Sequence, residues 1–345
     1  MTASFTKYVL NFKQPSGTSR GVLTQKETYF ILLEKNGKRV VGECGMLRGL
    51  SYDDRPDFED TLHWTCNNIH HGKKYLINAL TEYPAIQFGL EMAFKSLESK
   101  TSYILFPSEF TEGTESIPIN GLIWMGSERF MKDQIKGKLQ QGFDCIKLKI
   151  GALDFETELG LLKSIRREYS SKDIELRVDA NGAFKPDDAL EKLKRLSEYN
   201  LHSIEQPIKQ GQIHEMARLC EQTSLPIALD EELIGVLSVT KKQELLQTIQ
   251  PHYIIIKPSL LGGFEKSLEW ISQAEKQNCG WWITSALESN IGLNAIAQWA
   301  FKLSTKMPQG LGTGGLFTNN FDSPLQVKNG TLRYNKSNSW NINIE

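Results

Sequence analysis

From about residue 117 onward the chain repeats one unit. A short segment with alternating apolar residues ends in a polar residue, and an amphipathic stretch of helical period follows. The strand-like segments are 119–124, 145–150, 175–180, 203–206, 226–230, 253–257, 281–285 and the glycine-rich 309–315. Helical patterns fill 127–141, 155–169, 187–199, 213–222, 241–249, 264–277 and 293–303. Strands alternating with helices imply βαβ units and parallel pairing. The residues closing successive strands are Lys149, Asp179, Glu205, Asp230, Lys257, Ser285 and Gly312, one every 25 to 30 residues. One βα unit of a closed barrel takes about that length, since roughly 250 residues make eight.

The expected fold is therefore α/β, a (β/α)7β TIM-like barrel over 113–317 whose last helix is missing or replaced. An open doubly wound sheet is the alternative, but no Gly-x-Gly-x-x-Gly turn follows the first strand to support it. Residues 1–112 read differently. Segments 8–12, 28–34 and 39–45 look like antiparallel strands, the last two joined at Asn36-Gly37. Helical stretches follow near 56–68 and 84–99, giving a small N-terminal α+β unit. The segment 318–345 carries no further βα unit and is expected to return to pack on that first unit.

Composition removes several classes. Forty Lys+Arg against forty-one Asp+Glu leave a net charge of −1, and 40% of the 345 residues are hydrophobic. That suits a large buried core and no nucleic-acid partner dependent on a basic surface. No uncharged apolar run approaches the roughly 20 residues of a membrane helix. The start lacks the apolar run of a signal peptide. Five widely spaced cysteines without Cys-x-x-Cys suit neither a disulfide framework nor structural zinc. The expectation is a soluble, cytoplasmic protein with no membrane partner.

Strand parity places the chemistry. Ile146, Leu148 and Ile150 share one face of their strand and Lys147 and Lys149 the other. The apolar face should meet the helices, so both lysines point into the barrel. Two neighbouring ammonium groups lower each other's proton affinity, and a lysine so tuned acts as a general base near neutral pH. The same test turns Arg177, Asp179, Glu205, Asp230 and Lys257 inward. Asp179, Glu205 and Asp230 end three consecutive strands, and without a cation they would repel one another. Their hard oxygen donors suit Mg²⁺, with Mn²⁺ also possible, and the absence of His and Cys at these strand ends disfavours zinc. A carboxylate triad flanked by one lysine on each side suits removal of a proton α to a carboxylate.

Taken together, the motifs Lys147-Leu148-Lys149, Val178-Asp179-Ala180-Asn181-Gly182, Ile204-Glu205-Gln206-Pro207, Asp230-Glu231 and Lys257-Pro258 resemble the muconate-lactonizing-enzyme subgroup of the enolase superfamily. Residues 1–110 resemble that superfamily's capping domain. Narrower likenesses lie in 17–21, in Gly42-Glu43-Cys44-Gly45, in 285–289 and in 310–317. They point to the members that dehydrate a succinyl-bearing hydroxycyclohexadiene carboxylate to an aromatic acid in menaquinone biosynthesis. The resemblance implies a hydro-lyase acting on a small carboxylate. Lys149 is then base and general acid, and Lys257 a charged stabiliser on the opposite face. Lys147, Arg177, Ser285, Gly312, Ser19 and Arg20 are the candidate substrate contacts. Loops at Ser19, Arg20 and 47–51 are expected to close the mouth. An N-acylamino-acid racemase or dipeptide epimerase would use the same two lysines. Epimerases of the subgroup place Asp-x-Asp after the last strand, where this chain has Gly312-Thr313-Gly314. Trp124 reads as core packing with the pocket wall as its alternative, and Trp281-Trp282 reads as strand packing.

Overall fold

A computed structural model describes residues 1–18 and 21–344. Three antiparallel strands open the chain: β1 (Thr2–Thr18), β2 (Gly21–Lys35) and β3 (Lys38–Cys44). Asn36 and Gly37 both have positive φ, 52° and 77°, which gives the tight β2–β3 hairpin its sense of twist. β1 far outruns the expected 8–12, because its tip is paired on both sides. It pairs with β2 as far as Thr18↔Gly21, the register shifting between Asn11 and Ser16. It also bridges Phe12 to Phe317 and Gly17 to Met125, across the barrel mouth. A Cβ on Gly17 would stand 2.6 Å from the Met125 carbonyl oxygen, so this close crossing requires glycine.

Helices α1 (Phe58–Asn67), α2 (Lys73–Ala79) and α3 (Pro84–Glu98) pack behind this sheet. The short α2 was not legible in the sequence, since only Leu76 and Ile77 of it are buried. α3 lies tight on β3: a Cβ on Gly42 would fall 1.9 Å from the Gly89 carbonyl oxygen.

Short β4 (Ser116–Pro118) leads into seven parallel strands: β5 (Gly121–Ile123), β6 (Cys145–Lys149), β7 (Glu175–Asp179), β8 (Ser203–Glu205), β9 (Ile227–Leu229), β10 (Tyr253–Ile256) and β11 (Gly280–Ile283). They are hydrogen-bonded in sequence order. The eighth strand expected over 309–315 is reduced to Gln309 and Gly310. Their backbones bond Pro118 and Asn120 on one side and Ile283 and Ser285 on the other, which closes the ring. Outside lie α4 (Glu128–Gln140), α5 (Phe155–Glu168), α6 (Pro186–Ser197), α7 (Ile213–Gln222), α8 (Val239–Ile249), α9 (Pro258–Leu261), α10 (Gly263–Glu275) and α11 (Asn290–Lys302).

Parity holds throughout. Ile146, Leu148, Leu176, Val178, Ile204, Ile227, Leu229, Ile254 and Ile256 are buried in one cluster with helix residues such as Leu162, Leu193, Met216 and Leu246. Burying each such side chain contributes about 1.5–3 kcal/mol, so this layer anchors the inward-facing polar row. Trp282 packs inside the barrel with Ala228 and Ile255, while Trp281 packs on the outer cluster.

After the closing strand, Asn319 bonds the Asn11 amide and the Val9 carbonyl of β1. β12 (Leu325–Lys328) and β13 (Thr331–Tyr334) form a hairpin that pairs with β4 at the opposite end of the barrel. Trp340 then stacks on Tyr103.

Candidate active site

Register assembles the site. β6 and β7 pair so that Lys149 faces Asp179, and β7 and β8 so that Asp179 faces Glu205. Lys149 Nζ donates to Asp179 Oδ2 at 2.6 Å and to Asn181 Oδ1 at 2.8 Å. Lys147 Nζ donates to Glu205 Oε2 at 2.5 Å and stands 2.8 Å from Asp179 Oδ2. Lys257, just past β10, donates to Asp230 Oδ2. Lys257 is partly buried, and the other six side chains are buried.

The lysines differ in proton affinity. Burial disfavours charge on each. At Lys149 burial wins, aided by the Lys147 charge, and its pKa is lowered. At Lys147 burial is outweighed by Asp179 and Glu205, and its pKa is raised. Lys257 is raised as well, chiefly by Asp230. Among the carboxylates, Asp179 is held far below the usual range by Lys147 and Lys149 despite its burial. Glu205 is pushed up by burial and by Asp179.

The three lysines and Asn181 line a cavity of about 220 Å³. Lys147, Lys149, Lys257 and Asn181 form a polar end of it. Leu23 from the hairpin tip, Leu47 and Leu50 from the loop after β3, and Trp124, Leu287 and Leu316 form its apolar walls. Ser285 and Gly312 also line it.

The structure corrects one sequence expectation and adds detail to two others. Arg177 faces inward but away from the cavity. Its Nε donates to Glu175 at 2.7 Å, its Nη1 to the Pro308 carbonyl at 3.0 Å, and its guanidinium lies 4.3 Å from the Trp282 ring centroid. It sits two residues before the strand end, one layer down, and parity alone does not distinguish layers. Ser285 is in the wall, but its only proton goes to Glu288 Oε2 at 2.6 Å. The three carboxylates end adjacent strands yet do not form a ready cage. Among the described residues no three His, Cys, Asp or Glu side chains are grouped to hold a metal ion. Lysine ammonium groups engage all three instead. Glu205 Oε1 is nevertheless buried with no hydrogen-bond partner, an open oxygen among hard donors that suits a divalent cation. Ser19 and Arg20 lie outside the described residues.

Asn181, to which the sequence assigns no role, joins the site. Its Oδ1 accepts from Lys149 while its Nδ2 donates to Glu231 at 2.9 Å. The left-handed turn that points it there, φ 45°, could have drawn notice as an Asn-Gly pair after a strand.

The profile of the family described as enolase C-terminal domain-like matches residues 131–337. The chain belongs to that family. The o-succinylbenzoate synthase of Desulfotalea psychrophila is 46% identical over 363 residues, covering 96% of this chain and 98% of that protein. The crystal structure of MenC from Desulfotalea psychrophila superposes with a TM-score of 0.86 at 42% identity, covering 96% of this chain and 99% of that one. A dipeptide epimerase from Enterococcus faecalis, solved with Mg and the dipeptide L-Leu-L-Tyr, shares the fold at 19% identity. Its TM-score is 0.82, with 96% of each chain covered. This enolase-family chain is thus an α/β barrel enzyme whose antiparallel N-terminal sheet covers the mouth. No helix among the described residues is long and apolar enough to cross a membrane.

Proposed function

We propose that this chain is an o-succinylbenzoate synthase, a hydro-lyase of menaquinone biosynthesis. It converts 2-succinyl-6-hydroxy-2,4-cyclohexadiene-1-carboxylate to o-succinylbenzoate and water. One observation carries the reading: the cavity brings Lys149, of lowered pKa, and Lys257, of raised pKa, from separate strands under one apolar roof. The 46% likeness to a synthase over nearly the whole chain supports the substrate assignment.

Lys149 Nζ, held by Asp179 and Asn181, removes the proton from the carbon beside the ring carboxylate. The electron pair of that C–H bond spreads into the carboxylate as an enediolate. It then returns to expel the hydroxyl from the neighbouring carbon, and the ring becomes aromatic. Lys149, now protonated, gives its proton to the departing hydroxide, which leaves as water. Lys257, kept charged by Asp230, stabilises the enediolate from the other side. Lys147 holds Asp179 and Glu205 in place. Leu23, Leu47 and Leu50 exclude water from the reacting face. Asp179, Glu205 and Asp230 would hold Mg²⁺, with Mn²⁺ as a substitute, and such an ion supplies positive charge to the developing dianion. The Gly312 backbone would hold the succinyl chain.

The reaction is placed in the cytoplasm, with a small carboxylate and no nucleic acid as partner. The five cysteines are free, which suits a reducing compartment.

The same lysines would serve racemisation of an N-acylamino acid or epimerisation of a dipeptide. Gly312-Thr313-Gly314 offers no carboxylate for a substrate amine. The deciding assay follows loss of cyclohexadiene absorbance with Mg²⁺ and with EDTA. Metal-dependent turnover supports the synthase. If the diene is stable while N-succinyl amino acids or dipeptides exchange their α-proton in D₂O, the epimerase reading replaces it.

A further inference from the structure

Away from the lysine row, a second set of buried charges lies where the antiparallel sheet meets the barrel. Glu43 and Glu288 are fully buried and Lys26 is 3% exposed. None of the three lines the cavity or touches Lys149 or Lys257. A buried charge is costly unless compensated, so this junction calls for a role.

Glu288 is a fork. Oε2 accepts from Ser285 Oγ at 2.6 Å, and Oε1 accepts from Ser259 Oγ. Ser259 stands two residues beyond Lys257, and Ser285 is in the cavity wall. One carboxylate thus ties the segment after β10 to the segment after β11. Ser285 Oγ in turn accepts from the Leu287 amide at 3.1 Å and from Thr313 Oγ1 at 2.9 Å, which brings in the segment after the closing strand. Its donor and both its lone pairs are used.

The sheet holds this fork from behind. Glu43, on β3, accepts from Ser289 N at 2.9 Å, Ser289 Oγ at 2.6 Å, Gly292 N at 2.9 Å and Thr28 Oγ1 at 3.0 Å. Lys26 shares the face of β2 that carries Thr28. Its Nζ is buried with no hydrogen-bond partner, and burial lowers its pKa against the opposing charges of Glu43 and Glu288.

We propose that Glu288 is a positioning residue. Its carboxylate sets the Ser285 hydroxyl and through Ser259 the Lys257 segment, while Glu43 braces the same turn through Ser289 and Gly292, so that the N-terminal sheet fixes the shape of the substrate-binding wall. The proposal rests on the synthase reading for its substrate, but the junction itself is independent of which carboxylate is bound.

The test is a kinetic double-mutant cycle with Glu288→Gln, Ser285→Ala and the double variant, measured as kcat and KM separately. Glutamine keeps the volume but accepts from only one of the two serines. Glu288→Gln is expected to lower kcat/KM about tenfold, the loss of one hydrogen bond to a charged group. The double variant should match Ser285→Ala within about twofold in the KM effect, because Glu288 acts through Ser285. Additive effects, or unchanged kinetics in Glu288→Gln, overturn the proposal. Glu43→Gln, which weakens the brace on Ser289 and Gly292, should move KM in the same direction as Glu288→Gln. Wild-type turnover tests the synthase reading by itself. If wild type does not turn over the diene, hydrogen exchange across 285–292 decides the junction without substrate. Faster exchange there in both Glu288→Gln and Glu43→Gln supports it, and wild-type exchange in either overturns it.

Discussion

Lys149 Nζ lies 2.6 Å from Asp179 Oδ2, across two parallel strands whose register places the two residues side by side. The lysine is fixed as a donor to a carboxylate and to Asn181, so its position does not depend on substrate. Lys149→Ala should lower kcat at least 10³-fold, the upper range for a general acid–base group. Product binding, read by calorimetry, should stay within a few fold. A variant that keeps a tenth of wild-type kcat would remove Lys149 from the mechanism.

Only the neutral amine of Lys149 can take a proton. Since burial, opposed by Asp179 and reinforced by Lys147, lowers its pKa from 10.5, kcat/KM should rise with pH through a limb below that value. Lys257, whose pKa is raised, should stay charged over the same range. Lys147→Met removes one lowering charge, so the limb should shift to higher pH. A limb that stays put or moves down would contradict the assignment of that limb to Lys149.

Chelation should abolish turnover, and Mg²⁺ or Mn²⁺ should restore it. Binding is also visible without chemistry. At a hundredfold excess over Kd a bound ion adds about 2.7 kcal/mol, several degrees in Tm. In Asp230→Asn that rise should vanish. A rise of equal size in the variant would place the ion elsewhere.

Asp53 gives a pH effect on stability alone. Its carboxylate accepts from the Ala85 amide at 2.8 Å at the start of α3, and its Oδ1 is buried without a partner. Burial pushes its pKa up to about 7, far above an unfolded carboxyl near 3.9. The folded state therefore binds the extra proton. The stabilisation is full below the unfolded value and is lost as pH rises through about 7. Wild-type Tm should fall between pH 5 and pH 8. Asp53→Asn, which mimics the protonated form, should flatten that fall by an amount on the order of 2 kcal/mol. Parallel curves for the two proteins would rule this out.

Arg177 should matter for folding and not for catalysis. Arg177→Met leaves Glu175 and the Pro308 carbonyl without their donor. The expected cost is about 2 kcal/mol in urea unfolding, below the 3–5 of a fully buried pair because Glu175 is partly exposed. KM should hold within twofold. A large KM rise would return Arg177 to the substrate.

Alternation along seven short strands was enough to read the barrel and the inward row from Lys147 to Lys257. Side-chain direction in a strand has period two, and the outward apolar face identifies itself. That row is local information, repeated once per βα unit. Depth along the barrel axis is not local, which is why Arg177 was read as a cavity residue when it fills the layer beneath with Trp282.

What the residues alone determined is the fold class, the recurrence of polar strand ends and the set of lysines and carboxylates. The tertiary structure decided how those charges are shared. Lys147 and Lys149 meet on one oxygen of Asp179, and no spacing along the chain predicts that contact. It also decided the length of the first hairpin, since the tip over 12–18 is held by β2 on one side and by Phe317 and Met125 across the mouth on the other. The cavity roof and the Glu43–Glu288 junction arise the same way. They join residues about 245 positions apart, and free energy from such contacts exists only once the barrel has brought both partners together.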